Sequence, residues 1–168
     1  AIPFVIEPNV VGVDLLAWAE SNRDYVETEL QAHGAILFRN FKIASIDMFE
    51  TFTRVLSPEL MDYSERSSPR SKVSGNIFTS TDHPSDQPIV LHNEQSYTLN
   101  WMMKLWFYAD TVAETGGGTP LADSRKIYQR LDPAIRDKFA EKGIMYVRNY
   151  GVGMGLPWQE TFQTDSPE

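Results

Sequence analysis

Apolar residues recur at helical spacing in the first third of the chain and in short continuous or alternating runs through its middle. Leu15, Leu16, Ala19, Tyr25, Val26 and Leu30 return at roughly three- and four-residue intervals, which marks one face of a helix. This spacing predicts a helix over 13–32, with Gly34 after His33 as its stop signal. Ala35-Ile36-Leu37-Phe38 has the composition of a short buried strand. Ser45 suits an N-cap, and Met48, Phe49, Phe52 and Val55 then share one face of a second helix that Pro58 closes. From Ser57 to Pro88 the chain turns polar, rich in Ser, Pro, Asp, Thr and Arg, with one extended piece near Lys72-Val73-Ser74. A long polar connection inside a compact domain is usually a lid or a binding loop.

The second half reads as strands first and helices after. Ile89-Val90-Leu91 and Ile144 to Val147 have strand composition, and Met103 to Ala109 that of a central strand. Gly116-Gly117-Gly118 is a tight loop and Thr119 to Ala122 is extended. Asp123 or Ser124 caps a helix through Leu131, and Pro133 suits the first turn of another that ends near Gly143. The tail from Gly151 is loop-like, with Trp158 and Phe162 as anchors. Trp101, Trp106, Phe107 and Tyr108 are expected in the core. Strands in the middle with helices around them predict an α+β fold with a β-sandwich or jelly-roll core.

Composition narrows the function classes. A chain of 168 residues suits a single domain over 1–168, and 42% apolar with 23% charged residues is ordinary for a soluble protein. The absence of cysteine excludes disulfides, thiolate zinc sites and iron–sulfur clusters, and fits a cytoplasmic location. A net charge of −8 argues against a nucleic-acid partner. No apolar run reaches membrane-spanning length, and Ala1-Ile2-Pro3-Phe4 lacks the parts of a signal peptide. The expected partner is a small-molecule substrate; the pattern sets no oligomeric state.

The chemistry concentrates at Leu91-His92-Asn93-Glu94-Gln95. Residues i and i+2 of an extended segment point to the same face, so His92 and Glu94 stand side by side. An imidazole and a carboxylate offered in this way are two of the three ligands of the facial triad that holds non-haem Fe(II). The plainer alternative is a surface ion pair on an edge strand. In the polar loop, Arg66 and Arg70 are either solvated charges or guanidinium clamps for a substrate carboxylate. Asn76, Ser80 and Thr81 are candidates to line the same cavity. His83 reads as a solvated loop residue, and His33, at a helix end, as a partner of the helix dipole.

The order His92-x-Glu94, then Trp106-Phe107-Tyr108, then Gly116-Gly117-Gly118-Thr119-Pro120-Leu121-Ala122-Asp123-Ser124 resembles the Fe(II)/2-oxoglutarate-dependent dioxygenases of the taurine dioxygenase type. His92-Asn93-Glu94 followed by Gln95-Ser96-Tyr97 is closer to the clavaminate-synthase-like and SyrP-like branch, which works on amino acids and related natural-product intermediates. The resemblance covers about residues 34–158. It implies a double-stranded β-helix (jelly roll) core with flanking helices, His92 and Glu94 as iron ligands, and Thr119 as a hydrogen-bond partner of the 2-oxoglutarate carboxylate. It also implies Fe(II), 2-oxoglutarate and O₂ as the reacting set, with release of succinate and CO₂. Related halogenases replace the carboxylate ligand with a small residue, so Glu94 favours hydroxylation of an unactivated carbon. The substrate would be an amino acid or a derived intermediate, free or tethered to a carrier protein.

The family completes its site with a distal His and an Arg, whereas this sequence has no histidine after His92 and no arginine after Arg148. The expectation is therefore a jelly roll incomplete in this chain, with its last strands beyond residue 168. Two alternatives stand beside the oxygenase: a cupin-like metalloenzyme that needs no 2-oxoglutarate, and a non-catalytic jelly-roll binding module.

Overall fold

The computed structural model describes residues 2–61, 70–80, 87–151, 153 and 155–167. Its first layer is a parallel strand pair, β1 (Phe4–Ile6) and β2 (Ile36–Phe38), in the register Phe4↔Ile36, Val5↔Leu37 and Ile6↔Phe38. β1 was not expected from the sequence; three apolar residues between Pro3 and Glu7 are too short to show a period. The crossover between the strands holds α1 (Leu15–Ser21) and α2 (Arg23–His33).

A single helix over 13–32 was expected, and the structure breaks it at Asn22. The Asn22 side-chain amide donates to the Trp18 carbonyl at 2.7 Å, and its backbone N–H donates to Ala19. An Asn that satisfies the last carbonyls of a turn offers the backbone an ending in place of another helical bond. Asp14 opens α1 by accepting from the amides of Leu16 and Ala17. Gly34 ends α2 as expected, in the left-handed region at φ 81°, where its amide donates to Leu30. His33, on the last turn of α2, stacks on Phe4 with ring centroids 4.8 Å apart and pairs with Glu29.

The third helix, α3 (Ile46–Leu56), follows the expected pattern. The Ser45 hydroxyl accepts from the Met48 amide, and Phe49, Phe52 and Thr53 are buried. The core lies where α1, α3 and β2 meet. Leu15, Ala19 and Phe52 are buried, with Trp18, Phe38, Phe41, Ile43 and Trp106 packed around them. Phe52 is its hub, edge-on to Phe38 at 5.0 Å and to Trp106 at 5.8 Å, an arrangement that aligns ring edges with ring faces.

After α3 come a small antiparallel hairpin, β3 (Lys72–Ser74) with β4 (Ile77–Phe78), and then α4 (Ser124–Arg130), α5 (Pro133–Lys142) and α6 (Trp158–Phe162). α4 and α5 start at Asp123 and Asp132, whose carboxylates accept from the amides of Arg125 and Ala134. The fold is α+β, a mixture of helices and two small sheets. The tail, read from sequence as loop-like, contains α6, where Trp158 is half-buried, Phe162 is 48% exposed and Tyr150 lies 5.9 Å from the Phe162 ring.

The strands expected at 89–91, 103–109 and 144–147 do not form among the described residues. The reason shows at 101–109. Met102, Lys104, Trp106 and Tyr108 are half-buried, while Trp101, Met103, Leu105 and Phe107 are 60%, 87%, 47% and 71% exposed. That is the period-two alternation of an extended chain without a hydrogen-bonded neighbour to make it a ladder. The segment is held by side chains instead. Trp106 meets Phe52, Tyr108 stacks on Phe49 at 5.2 Å and donates to the Ile43 carbonyl, and Lys104 pairs with Glu27 of α2 at 2.5 Å. Of the four aromatics expected in the core, Trp106 and Tyr108 face it, whereas Trp101 and Phe107 face away.

Two measurements check this packing. Phe52→Ala removes the hub of the core and is expected to cost about 3–5 kcal/mol, read as a lowered denaturant midpoint with an unchanged slope; a loss below about 1 kcal/mol would mean that Phe52 does not organise the core. The hydrogen bond from Lys104 holds the Glu27 carboxyl below its usual range. A depressed carboxyl stabilises the fold above its unfolded pKa, and that contribution is lost as the pH falls through the carboxylate range. Because the pair is partly exposed, it is worth a few tenths of a kcal/mol. Glu27→Gln should therefore lower stability slightly at neutral pH and leave it unchanged in acid.

Candidate metal centre

His92 and Glu94 share a face, as the extended spacing requires. His92 Nε2 lies 3.7 Å from Glu94 Oε2. The imidazole is exposed and the carboxylate mostly buried, at 54% and 16% side-chain exposure. The other ring nitrogen, Nδ1, sits 2.8 Å from the Val90 carbonyl. A carbonyl oxygen only accepts, so Nδ1 carries the proton in this contact, and in the neutral ring the Nε2 lone pair faces Glu94. A backbone carbonyl behind a histidine is a common means of orienting a metal ligand. Two bonds of about 2.1 Å, typical of N and O ligands to zinc, reach across such a gap. The two donors therefore fit a divalent cation. Among the described residues no group of three or more His, Cys, Asp and Glu side chains converges on a metal position.

Asn93 points the other way, and its side-chain oxygen accepts from the Ser124 hydroxyl at 3.2 Å. That bond ties the back of the triplet to the start of α4. Arg125 anchors α4 in turn: Nη1 donates to the Gln31 carbonyl at 2.7 Å and Nη2 to Ala32 at 3.4 Å, both in the last turn of α2. Its Nε donates to Asp123, which holds that carboxyl below its usual range. Arg125 was not singled out from the sequence, Ser124 was named only as an alternative helix cap, and Asn93 only as the middle of the triplet. For Asn93 the signal was available, because the alternation that pairs His92 with Glu94 sends Asn93 to the opposite face.

After Glu94 the chain turns sharply. Gln95 is buried at φ 49°, and its carbonyl accepts from both the amide and the hydroxyl of Thr98. Arg70, at the foot of the β3–β4 hairpin, donates from Nη2 to Glu94 Oε1 at 3.3 Å. Asn76, at the hairpin turn, accepts from Arg54 and donates to the Met61 carbonyl. Thr119 is exposed, and no hydrogen bond joins it to His92 or Glu94. Ser80 is exposed as well, while Arg66, Thr81 and His83 lie outside the described residues. A shallow cleft of about 320 Å³ between α2 and α4 is lined by His33, Asp123, Arg125 and Lys126 and does not include the His92–Glu94 pair.

Residues 2–167 match the taurine catabolism dioxygenase TauD, TfdA family. The chain belongs to that family. It is 37% identical over 140 residues to the dapdiamide synthesis protein DdaC of Enterobacter agglomerans, an overlap of 83% of this chain and 43% of that protein. It is 29% identical over 179 residues to a clavaminate synthase-like protein of Arabidopsis thaliana, an overlap of 96% and 54%. The chain thus spans about half the length of these curated relatives. No helix among the described residues is long and apolar enough to cross a membrane.

Arg125→Ala removes both bonds to the α2 carbonyls. The expected cost is about 1 kcal/mol, at the low end for charge-assisted bonds because the side chain is half exposed. Thermal unfolding reads it directly, and an unchanged midpoint would show that α4 is held by other means.

Proposed function

We propose that this chain is part of an Fe(II)/2-oxoglutarate-dependent oxygenase in which His92 Nε2 and Glu94 Oε2 hold the iron. One observation carries the reading: the two donors face each other at 3.7 Å while a backbone carbonyl holds Nδ1 of the same imidazole. Bound there with 2-oxoglutarate, the iron would supply the oxidising chemistry, activating O₂ and yielding succinate and CO₂. The chain's own part is to position. Val90 orients the imidazole, Asn93 and Ser124 hold the triplet from behind, and the turn at Gln95 leads the chain away from the site.

Thr119 is the proposed hydrogen-bond partner of a 2-oxoglutarate carboxylate, reached across the three-glycine loop. Arg66 and Asn76 remain proposed substrate contacts. The reading further requires a jelly-roll core around the site and a second imidazole ligand, and no histidine follows His92 in these 168 residues. Glu94 fills the carboxylate position, which supports hydroxylation over halogenation. The substrate class we favour is an amino acid or an intermediate made from one, free or carrier-bound. The likeness to a protein named for dapdiamide synthesis supports a place in natural-product assembly.

The test is optical. Full-length protein held without oxygen with Fe(II) and 2-oxoglutarate should develop the weak visible charge-transfer band of the chelate. His92→Ala should abolish it, and Thr119→Ala should raise the 2-oxoglutarate concentration needed for half the signal. A wild-type protein that binds iron without the band would point instead to a metalloenzyme of another type, and one that binds no iron to a binding module.

A further inference from the structure

We propose that Arg70 is a positioning residue for Glu94: it engages one carboxylate oxygen so that the other alone is offered beside His92. The inference rests on the metal reading above and adds a residue to it. Glu94 presents two oxygens in different directions. Oε2 faces His92 Nε2 at 3.7 Å, and Oε1 accepts from Arg70 Nη2 at 3.3 Å. Both side chains are largely withdrawn from solvent, at 20% exposure for Arg70 and 16% for Glu94. A pair held in that environment is more directional and less screened than a surface ion pair. A carboxylate with one oxygen held by a guanidinium binds a cation through the remaining oxygen, which leaves a coordination position open that bidentate binding would occupy.

Arg70 is itself fixed by the hairpin that follows it. Ser71 and Thr79 close the base: the Thr79 amide donates to the Ser71 carbonyl at 2.9 Å, and the Ser71 amide donates to the Thr79 hydroxyl at 3.0 Å. The far end is docked on α3. Ser74 donates to Asp47, and Arg54, already paired with Glu50, donates to Asn76. Gly75 makes that docking possible, because a Cβ there would collide with the Glu50 carboxylate and its φ of 43° disfavours other residues. A continuous path of bonded groups therefore runs from a core helix through the hairpin to Glu94. It gives the polar stretch after α3 a task that the sequence did not suggest. It also changes the reading of Arg70: a substrate carboxylate would have to share that guanidinium with Glu94.

The experiment titrates full-length protein with Mn(II), followed by loss of the free-ion electron paramagnetic resonance signal. Wild type, His92→Ala, Arg70→Ala, Arg70→Lys and Asn76→Ala are compared, with unfolding midpoints measured alongside. Removing the partner that orients a metal ligand is expected to weaken affinity about 10–100-fold. A guanidinium close to a dication also repels it, so removal of charge alone would tighten binding; the sign of the change separates orientation from charge. Arg70→Lys retains a donor without the planar fork and should recover part of the loss. Asn76→Ala loosens the hairpin with Arg70 present and should weaken binding by less. Mn(II) affinity in Arg70→Ala equal to or tighter than wild type overturns the proposal, as does an effect confined to the substrate KM. Should Arg70→Ala fail to fold, the Lys and Asn76 variants decide alone, and wild-type affinity in both overturns it. A wild type that binds Mn(II) no better than His92→Ala removes the metal reading itself, and this proposal with it.

Discussion

The two-residue repeat of an extended chain governs this site. It sends His92 and Glu94 to one side and Asn93 to the other, so a three-residue segment can present two donors forward and be anchored from behind. Helical spacing would place i and i+2 on different faces and separate the donors. The same repeat operates at 101–109, where it lays Trp106 and Tyr108 against α3 and turns Trp101, Met103 and Phe107 outward. Both segments have the side-chain alternation of strands without a ladder among the described residues.

The elements around the site are joined by side chains more than by sheet. α2 receives Arg125 on its last carbonyls and Lys104 on Glu27, while α3 receives the hairpin through Asp47 and Arg54. Such bonds are individually worth little where they are exposed, but each fixes the direction of a segment that no backbone ladder holds. Phe52 joins α3 to β2 and to the extended segment in one cluster. The support of the His92–Glu94 pair is therefore distributed: the hairpin comes from α3, the tie behind Asn93 comes from α4, and α4 rests on α2.

Most helices were legible because their signals are local. Ser45, Asp123 and Gly34 cap or stop helices where the sequence placed them and Pro133 stands in the first turn of α5, since such signals depend on a few neighbouring residues. The break at Asn22 was missed because an apolar period continues across it, while the ending depends on where one amide side chain turns. β1 and α6 were too short to display a period. The expected strands failed for a different reason: apolar alternation makes a segment able to pair but does not supply the pairing chain.

Sequence alone determined the candidate pair, its shared face and its family order: His92 and Glu94 two apart, the three glycines, then Thr119. These follow from residue identity and chain geometry, which travel with the sequence wherever the segment lies. Tertiary structure alone decided what stands around the donors. It brought Arg70 onto Glu94 across 24 residues and Ser124 onto Asn93 across 31, and it left Thr119 without a bond to either donor. Contacts between residues so far apart depend on how helices and hairpin pack, and packing answers to the whole core at once rather than to any local pattern of residues.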